Sequence, residues 1–354
     1  MYKNSTVVFQ YSENWQSHGF SLDPINLPLN NKLFFSEYRP FEGLFGVFND
    51  SLPDGWGLLL LERMLSKKRI RIEELNPLDK LSIIGKSGMG TLEYKPANNL
   101  TDKKTSKDLD TLAKEALNIF ESIPSKNLDD IFNAGVSSGG ARPKAHIVLD
   151  GENWIVKFPS SIDPKNIAQM EYDYCKCAKK CNIEVPETKL VPSKVYDKFF
   201  AIKRFDRIKD SKGHIVKVHK ISASSILNTS HRIPAMDYNN LIKATWLITK
   251  DICEVKKVYR IMCFNVFAHN RDDHSNNFCY LFKDGKWQFS PAYDLTFSNS
   301  LNGEHATTIN GEGKNPTMNE ILDVAENCNI PKNWAHKTAN TIMEIVNKQL
   351  VHYL

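Results

Sequence analysis

Strand-like and helix-like segments are segregated along this chain, and that segregation constrains its fold more than any other feature. Short alternating or apolar runs at residues 6–11 and 33–35 are punctuated by Pro, Asn and Gly. Strands are expected again at 144–149 and 153–158, around an Asp150-Gly151 turn, and near Val191 and Phe199 after a helix-like stretch at 167–181. Beyond residue 222 the pattern is mostly helical, at 222–227, 238–248, 253–268, 319–326 and 334–348, interrupted by a hairpin-like segment at 278–289. Strands first and helices later point to an α+β, two-lobed architecture.

The 354 residues suffice for two or three packed units. With 41% hydrophobic and 25% charged residues, the chain can bury enough apolar surface to exclude disorder as its main state. The longest apolar stretches, at 56–61 and 261–268, fall well short of the roughly 20 residues a membrane span needs. The start has no basic region followed by an apolar one, so a cytoplasmic location and no membrane partner are expected. A net charge of +5 permits nucleic-acid contact without requiring it. The seven cysteines read as reduced thiols.

The first ninety residues are expected to be β-rich with one helix at 56–67, entered through Asp54 and Gly55. LSIIGKSGMGTLEYKP suggests a turn between short strands, and the polar stretch 97–110 is the best linker. Cys175, Cys177 and Cys181 imitate a metal motif. In a helix, however, Cys175 and Cys177 point about 200° apart, so core thiols are the plainer reading. Lys67, Lys68, Arg69 and Arg71 read as a solvated helix end rather than a DNA contact.

Four segments could carry chemistry. AHNRDDHSNNF, at 268–278, precedes SPAYDLTFS, at 290–298. A carboxylate at Asp272 could accept a hydroxyl proton, while the amide oxygen of Asn277 and the carboxylate of Asp294 could hold Mg²⁺. The competing reading is a polar loop with capping Asp and Asn. In SSGGARPKAHIVL, at 137–149, small residues let backbone N–H groups approach a phosphate, or simply make a tight turn. In WIVKFP, Lys157 lies on an apolar strand and needs a partner. Glu171 is either that partner or a solvent-facing helix residue. In FFAIKRFDR, the backbone of Lys203 and Phe205 could face an adenine and Asp206 could bind a ribose, against a surface salt-bridge cluster.

Taken in order, SSGGARPK, WIVKFP, KRFDR, NRDDHSNNF and SPAYDLTFS resemble the HipA-like serine/threonine kinases. FNDSLPDGWG, IIGKSGMGTLEYKP and EYDYCKCAKKCNIEVPETKLV extend the resemblance over most of the chain. It implies a β-rich N-terminal region (1–96) shaped as an incomplete small barrel, the linker (97–110), a nucleotide-binding part of the kinase core (111–236) and a helical lobe (237–354). It also implies ATP and Mg²⁺ dependence. Asp272 would be the catalytic base, with His274 beside it chiefly positioning the loop. Asn277 and Asp294 would be the metal ligands. Gly139, Gly140, Ala141, Lys157, Lys203, Phe205 and Asp206 would line the ATP site. Ser137 matches the family's autophosphorylated serine, with Ser138 next to it; a phosphate there would oppose ATP and eject the loop.

The sequence departs from the family at Asp273, which stands where a small residue is usual and could raise the pKa of Asp272 or be mistaken for it. Lys203 replaces a hinge acid, Arg142 replaces the commoner Gln, and Pro143 stands at a variable position. Strands that would open the barrel are not in the sequence, so a separate small protein is expected to supply them. The resemblance further implies a toxin acting on a protein substrate, with an aminoacyl-tRNA synthetase as its class. A helix-turn-helix antitoxin would be the partner through which DNA is met. The alternative is a catalytically weak ATP-binding or repressor component, which would have no need to keep Asp272, Asn277 and Asp294.

Overall fold

The computed structural model describes residues 2–3, 5–101, 108–233 and 235–354. Residues 102–107 of the expected linker lie outside the described residues, and the helix Leu109–Phe120 begins before the linker's expected end. The fold mixes helices and strands. It divides into two units that are each discontinuous in sequence. One comprises 1–47, 173–186 and 218–354, and the other 48–172 and 187–217.

The unit containing 48–172 is built on a four-stranded antiparallel sheet, in the order Lys144–Leu149, Glu152–Lys157, Lys198–Lys203, Thr188–Pro192. Side chains alternate across such a sheet. Ala145, Trp154, Val156, Phe199 and Ala201 point to one face and are buried. They pack with Leu60, Leu61 and Met64 of the helix Trp56–Lys67, Leu112 and Ala116 of Leu109–Phe120, and Ile131 and Phe132 of Leu128–Gly135. By the same alternation Lys144, His146, Lys157 and Phe200 share the opposite face.

The other unit carries the helices Tyr238–Thr249, Ile252–Phe267, Met318–Asn327 and Lys332–Gln349. Asp237, Asp251 and Thr317 cap three of these through side-chain oxygens. A sheet of His219–Ser222, Cys279–Lys283 and Lys286–Phe289 contains the expected hairpin.

The single helix expected in the first ninety residues is at Trp56–Lys67, but it has company. The strands there are short, forming a three-stranded sheet from Tyr2–Lys3, Thr6–Phe9 and Phe34–Phe35, and no closed barrel is present among the described residues. The turn between strands expected in LSIIGKSGMGTLEYKP is instead a helix, Pro77–Ile84, followed by irregular chain. Asn76 and Asp79 form a reciprocal capping box, and Pro77 sits at the first helical position. These signals outweigh the apolar run that looked like a strand.

Candidate active site

The expected site residues fall in both units. In the unit built on the antiparallel sheet, Lys157 ends the strand Glu152–Lys157 and forms an ion pair with Glu171 on the helix Ile167–Lys180. Glu171 is 2% exposed, so the choice left open by sequence is settled: it is a buried partner, not a solvent-facing residue. Arg142 lies 3.8 Å from the other oxygen of Glu171 and pairs with Asp163 at 2.8 Å. These groups, with Lys165, Lys198 and Phe200, line a hollow in which cations outnumber carboxylates, an arrangement suited to phosphate oxygens.

The Gly/Ser loop is fastened beside this sheet. Lys144 Nζ donates to the Gly139 carbonyl at 2.7 Å, and Trp56 N–H donates to the Gly140 carbonyl at 2.8 Å. Gly55 and Gly57 explain the DGWG signature. A Cβ on Gly57 would sit 2.5 Å from the carbonyl oxygens of Ser138 and Val136, and one on Gly55 would sit 2.4 Å from that of Gly140. Gly139 and Ala141 are exposed, and Gly140 takes a positive φ of 78°. Ser137 is half-buried, while Ser138 is only 2% exposed.

Lys203 ends the strand Lys198–Lys203 on the same face as Trp154, opposite to Lys157, and its ammonium pairs with Glu152 and Glu187. Any adenine contact would therefore use its backbone. Phe205 is half-buried. Asp206 requires a correction. It is fully buried, receives a two-pronged contact from Arg204 at 2.9 and 2.7 Å, and accepts from Arg207 and from Gly90 N–H, each at 2.8 Å. Burial alone would raise its pKa, but Arg204 and Arg207 outweigh that and hold it below the usual carboxylate range. A carboxylate so enclosed has no face for a ribose; it is an internal brace.

In the other unit, the segment after the helix Ile252–Phe267 separates its two adjacent aspartates. Asp272 is exposed. Asp273 is buried and accepts from Tyr238 hydroxyl at 2.9 Å and Thr307 N–H at 3.2 Å, with His305 Nδ1 at 3.0 Å. Burial and the adjacent Asp273 push the Tyr238 phenol well above its ordinary value, so Tyr238 stays a donor. Asp273 is thus a structural carboxylate, and Asp272 is the one presented outward.

Asn277 Nδ2 donates to the Asp272 carbonyl at 2.7 Å, closing the loop on itself. His274 begins the short turn Ser275–Asn277 and accepts from Asn277 N–H through its carbonyl at 2.8 Å. Its Nε2 is 3.9 Å from Asp272, and its buried Nδ1 has no hydrogen-bond partner among the described residues. This is the placement of a residue that shapes the loop. Asp294 has a positive φ of 53° and follows Tyr293, whose hydroxyl donates to the Asn276 carbonyl at 2.6 Å. Tyr293 was not a sequence candidate; its hydroxyl links the loops bearing Asn277 and Asp294.

The amide oxygen of Asn277 and the carboxylate of Asp294 are hard donors on two linked loops. Such a sparse set fits Mg²⁺, which keeps waters and substrate phosphates as its other ligands. Among the described residues no group of three or more His, Cys, Asp or Glu is suited to a metal. Cys175 and Cys177 on the helix Ile167–Lys180, and Cys181 just beyond its end, are all buried. No helix among the described residues is long and apolar enough to cross a membrane.

A strand lysine paired to a helix glutamate beside a glycine-rich loop in one unit, and an aspartate five residues before an asparagine in the other, are features that recur among phosphotransfer proteins. The sequence matches the HipA-like C-terminal domain over residues 136–350 and the HipA N-terminal domain over residues 1–95. The chain belongs to the HipA family. Its fold is similar to HipA from Shewanella oneidensis MR-1, solved with HipB and its operator DNA, with a TM-score of 0.74 and 17% identity over 99% of this chain and 87% of that one. The Helicobacter pylori proinflammatory kinase CtkA aligns at TM-score 0.40 and 16% identity, over 60% of this chain and 88% of that one. No match was found among curated proteins.

Proposed function

We propose that this chain is an ATP- and Mg²⁺-dependent serine/threonine protein kinase and the toxin of a toxin–antitoxin pair. The observation that carries this reading is the buried Lys157–Glu171 ion pair. It fixes an ammonium on the face of the sheet opposite Trp154 and Val156, the face that also carries Lys144. A lysine so paired is a phosphate ligand rather than a solvated charge.

In this reading Lys157 and the backbone of residues 139–141 take the phosphates of ATP, and the backbone of residues 203–205 takes the adenine. Asp206 braces the latter segment from inside. Asp272 accepts the proton of the substrate hydroxyl as it attacks the γ-phosphorus, and His274 holds the loop. Asn277 and Asp294 would hold Mg²⁺, which when bound neutralises phosphate charge. Little covalent chemistry falls to the protein, so positioning and electrostatics supply the rate.

The substrate class, an aminoacyl-tRNA synthetase, is supported by family membership. An antitoxin partner is supported by the Shewanella structure, which includes HipB and operator DNA. A charge of only +5 favours DNA contact mainly through that partner. The three-stranded N-terminal sheet ends on Phe34–Phe35, where Leu33, Phe35 and Tyr38 are 54%, 68% and 58% exposed. Such an apolar edge suits a strand supplied by a small companion protein.

Induced expression in cells, with phosphoproteomics, tests the reading. The wild type should arrest growth and raise phosphorylation at one or a few serine or threonine sites, and Asp272→Ala should do neither. Arrest of equal depth by Asp272→Ala would refute the kinase reading.

A further inference from the structure

Strand register brings Arg142 to the partner of Lys157. Lys144 pairs across the sheet with Lys157, and the Pro143 carbonyl accepts from Phe158 N–H at 2.9 Å. Arg142, the residue before Pro143, is thereby set beside the end of the strand Glu152–Lys157. Its Nε lies 2.8 Å from Asp163 Oδ1 and its Nη1 lies 3.8 Å from Glu171 Oε1, while Lys157 takes Glu171 Oε2. Four charges of alternating sign are in serial contact: Asp163, Arg142, Glu171, Lys157.

Asp163 is the fixed end of this series. Its side chain is as enclosed as that of Glu171, each 3% exposed. Its Oδ2 accepts from Ser160 N–H at 3.0 Å and from the Ser160 hydroxyl at 2.7 Å, and its own N–H donates to the Ser160 carbonyl at 3.2 Å. A buried carboxylate held through both oxygens has no freedom to turn. Arg142 differs, since 36% of its side chain is exposed and it lines the hollow with Lys157. A guanidinium favours a two-pronged grip on a carboxylate, which an ammonium cannot make. Unrestrained, Arg142 would outcompete Lys157 for Glu171. It is held short of that grip, 3.8 Å away, because Asp163 engages it at 2.8 Å.

We infer that Asp163 is a positioning residue of the phosphate site: by engaging Arg142 it keeps that guanidinium from capturing Glu171, and so leaves Glu171 to Lys157. The inference rests on the reading of this hollow as the place where phosphates bind. It extends that reading to a carboxylate that touches neither Lys157 nor Glu171 and acts only through Arg142. The distinctive consequence is a dependence of one residue on another. Loss of Asp163 harms the site only while Arg142 is there to be released.

Isothermal calorimetry with inorganic tripolyphosphate tests this on the full chain without any turnover. Wild type, Asp163→Asn, Arg142→Gln and the double variant are compared, with thermal melts to show that each is folded. Asp163→Asn should weaken binding by roughly 3- to 10-fold, the range of one or two charge-assisted contacts. Added to Arg142→Gln, the same change should alter binding by less than about 2-fold. Ser160→Ala, which keeps every charge and removes only the hydroxyl contact to Asp163, should give a smaller loss that Arg142→Gln also abolishes. Equal losses in both backgrounds would make Asp163 merely structural and overturn the inference. So would unchanged binding in Asp163→Asn, or a wild type that does not take up tripolyphosphate. A γ-phosphate transfer assay on the same samples separates the two readings. Coupled losses without transfer count against the kinase reading alone, and transfer with equal losses counts against Asp163 alone.

Discussion

The Tyr293 hydroxyl donates to the Asn276 carbonyl at 2.6 Å, and so ties the residue before Asp294 to the residue before Asn277. Each metal-ligand candidate is thereby positioned by a neighbour that touches no ligand itself. Cys279 Sγ lies 2.7 Å from the same hydroxyl, which keeps the phenol turned inward.

Tyr293→Phe removes that link while keeping the ring. A single hydrogen bond of this kind is worth about 0.5–1.5 kcal/mol, or roughly a 2- to 10-fold change in an equilibrium constant. The Mg²⁺ concentration for half-maximal phosphate transfer should rise by about that factor, with the rate at saturating Mg²⁺ nearly kept. A titration curve that coincides with the wild type would show that the two loops are set independently.

Gly57→Ala should destabilise, although alanine in a helix is ordinarily better than glycine by about 1 kcal/mol. The added methyl would meet the carbonyls of Val136 and Ser138 at 2.5 Å, too close for either to stay in place. A lower thermal midpoint and weaker ATP binding are expected. A midpoint above that of the wild type would mean the loop is not seated on this helix.

Glu171→Gln keeps the shape of the side chain and removes the charge that holds Lys157. The variant should fold and lose about 10-fold or more in the rate of phosphate transfer, since positioning dominates this chemistry. Isothermal calorimetry with ATP, run beside the activity assay, separates lost binding from lost turnover. Full activity would show that Lys157 needs no partner.

His219 gives the protein a pH dependence of definite sign. Burial lowers its pKa to about 4, while its Nε2 contacts the Leu22 carbonyl at 2.8 Å. Unfolded, the group titrates near 6.5, so between about 6.5 and 4 the unfolded chain binds the extra proton. This contribution to stability is complete above about pH 6.5 and is lost as the pH falls toward 4. His146 acts in the same direction. Denaturant melts of His219→Gln should show a shallower loss over that window than the wild type; parallel curves would place the titration elsewhere.

Where local patterns decide structure, the sequence was readable. The helix Trp56–Lys67, the strand Lys144–Leu149 and the hairpin between Cys279 and Phe289 lie where hydrophobic period and turn residues put them. The helix Pro77–Ile84 was missed because Leu81, Ile83 and Ile84 imitate a strand, though Asn76, Pro77 and Asp79 carried the opposing signal. Within the candidate site, Lys157 and Asp272 stood out by residue type and spacing. The fate of Asp206 did not, because nothing in KRFDR says that Arg204 and Arg207 fold back onto it. Nor could DD reveal which aspartate is buried; Tyr238, His305 and Thr307, which enclose Asp273, are more than thirty residues away. Burial and partnership are tertiary facts, and they separate the exposed carboxylate of Asp272 from the enclosed one of Asp273.

The most direct measurement is transfer of the γ-phosphate from labelled ATP by the purified chain, with Mg²⁺, to itself and to proteins of a cell lysate. The account predicts label in the wild type, its loss in Asp272→Asn and in Asp294→Asn, and its retention in Asp323→Asn, an exposed residue of the helix Met318–Asn327. A wild type that transfers no label to any protein, or an Asp272→Asn variant that labels as well as the wild type, would contradict it.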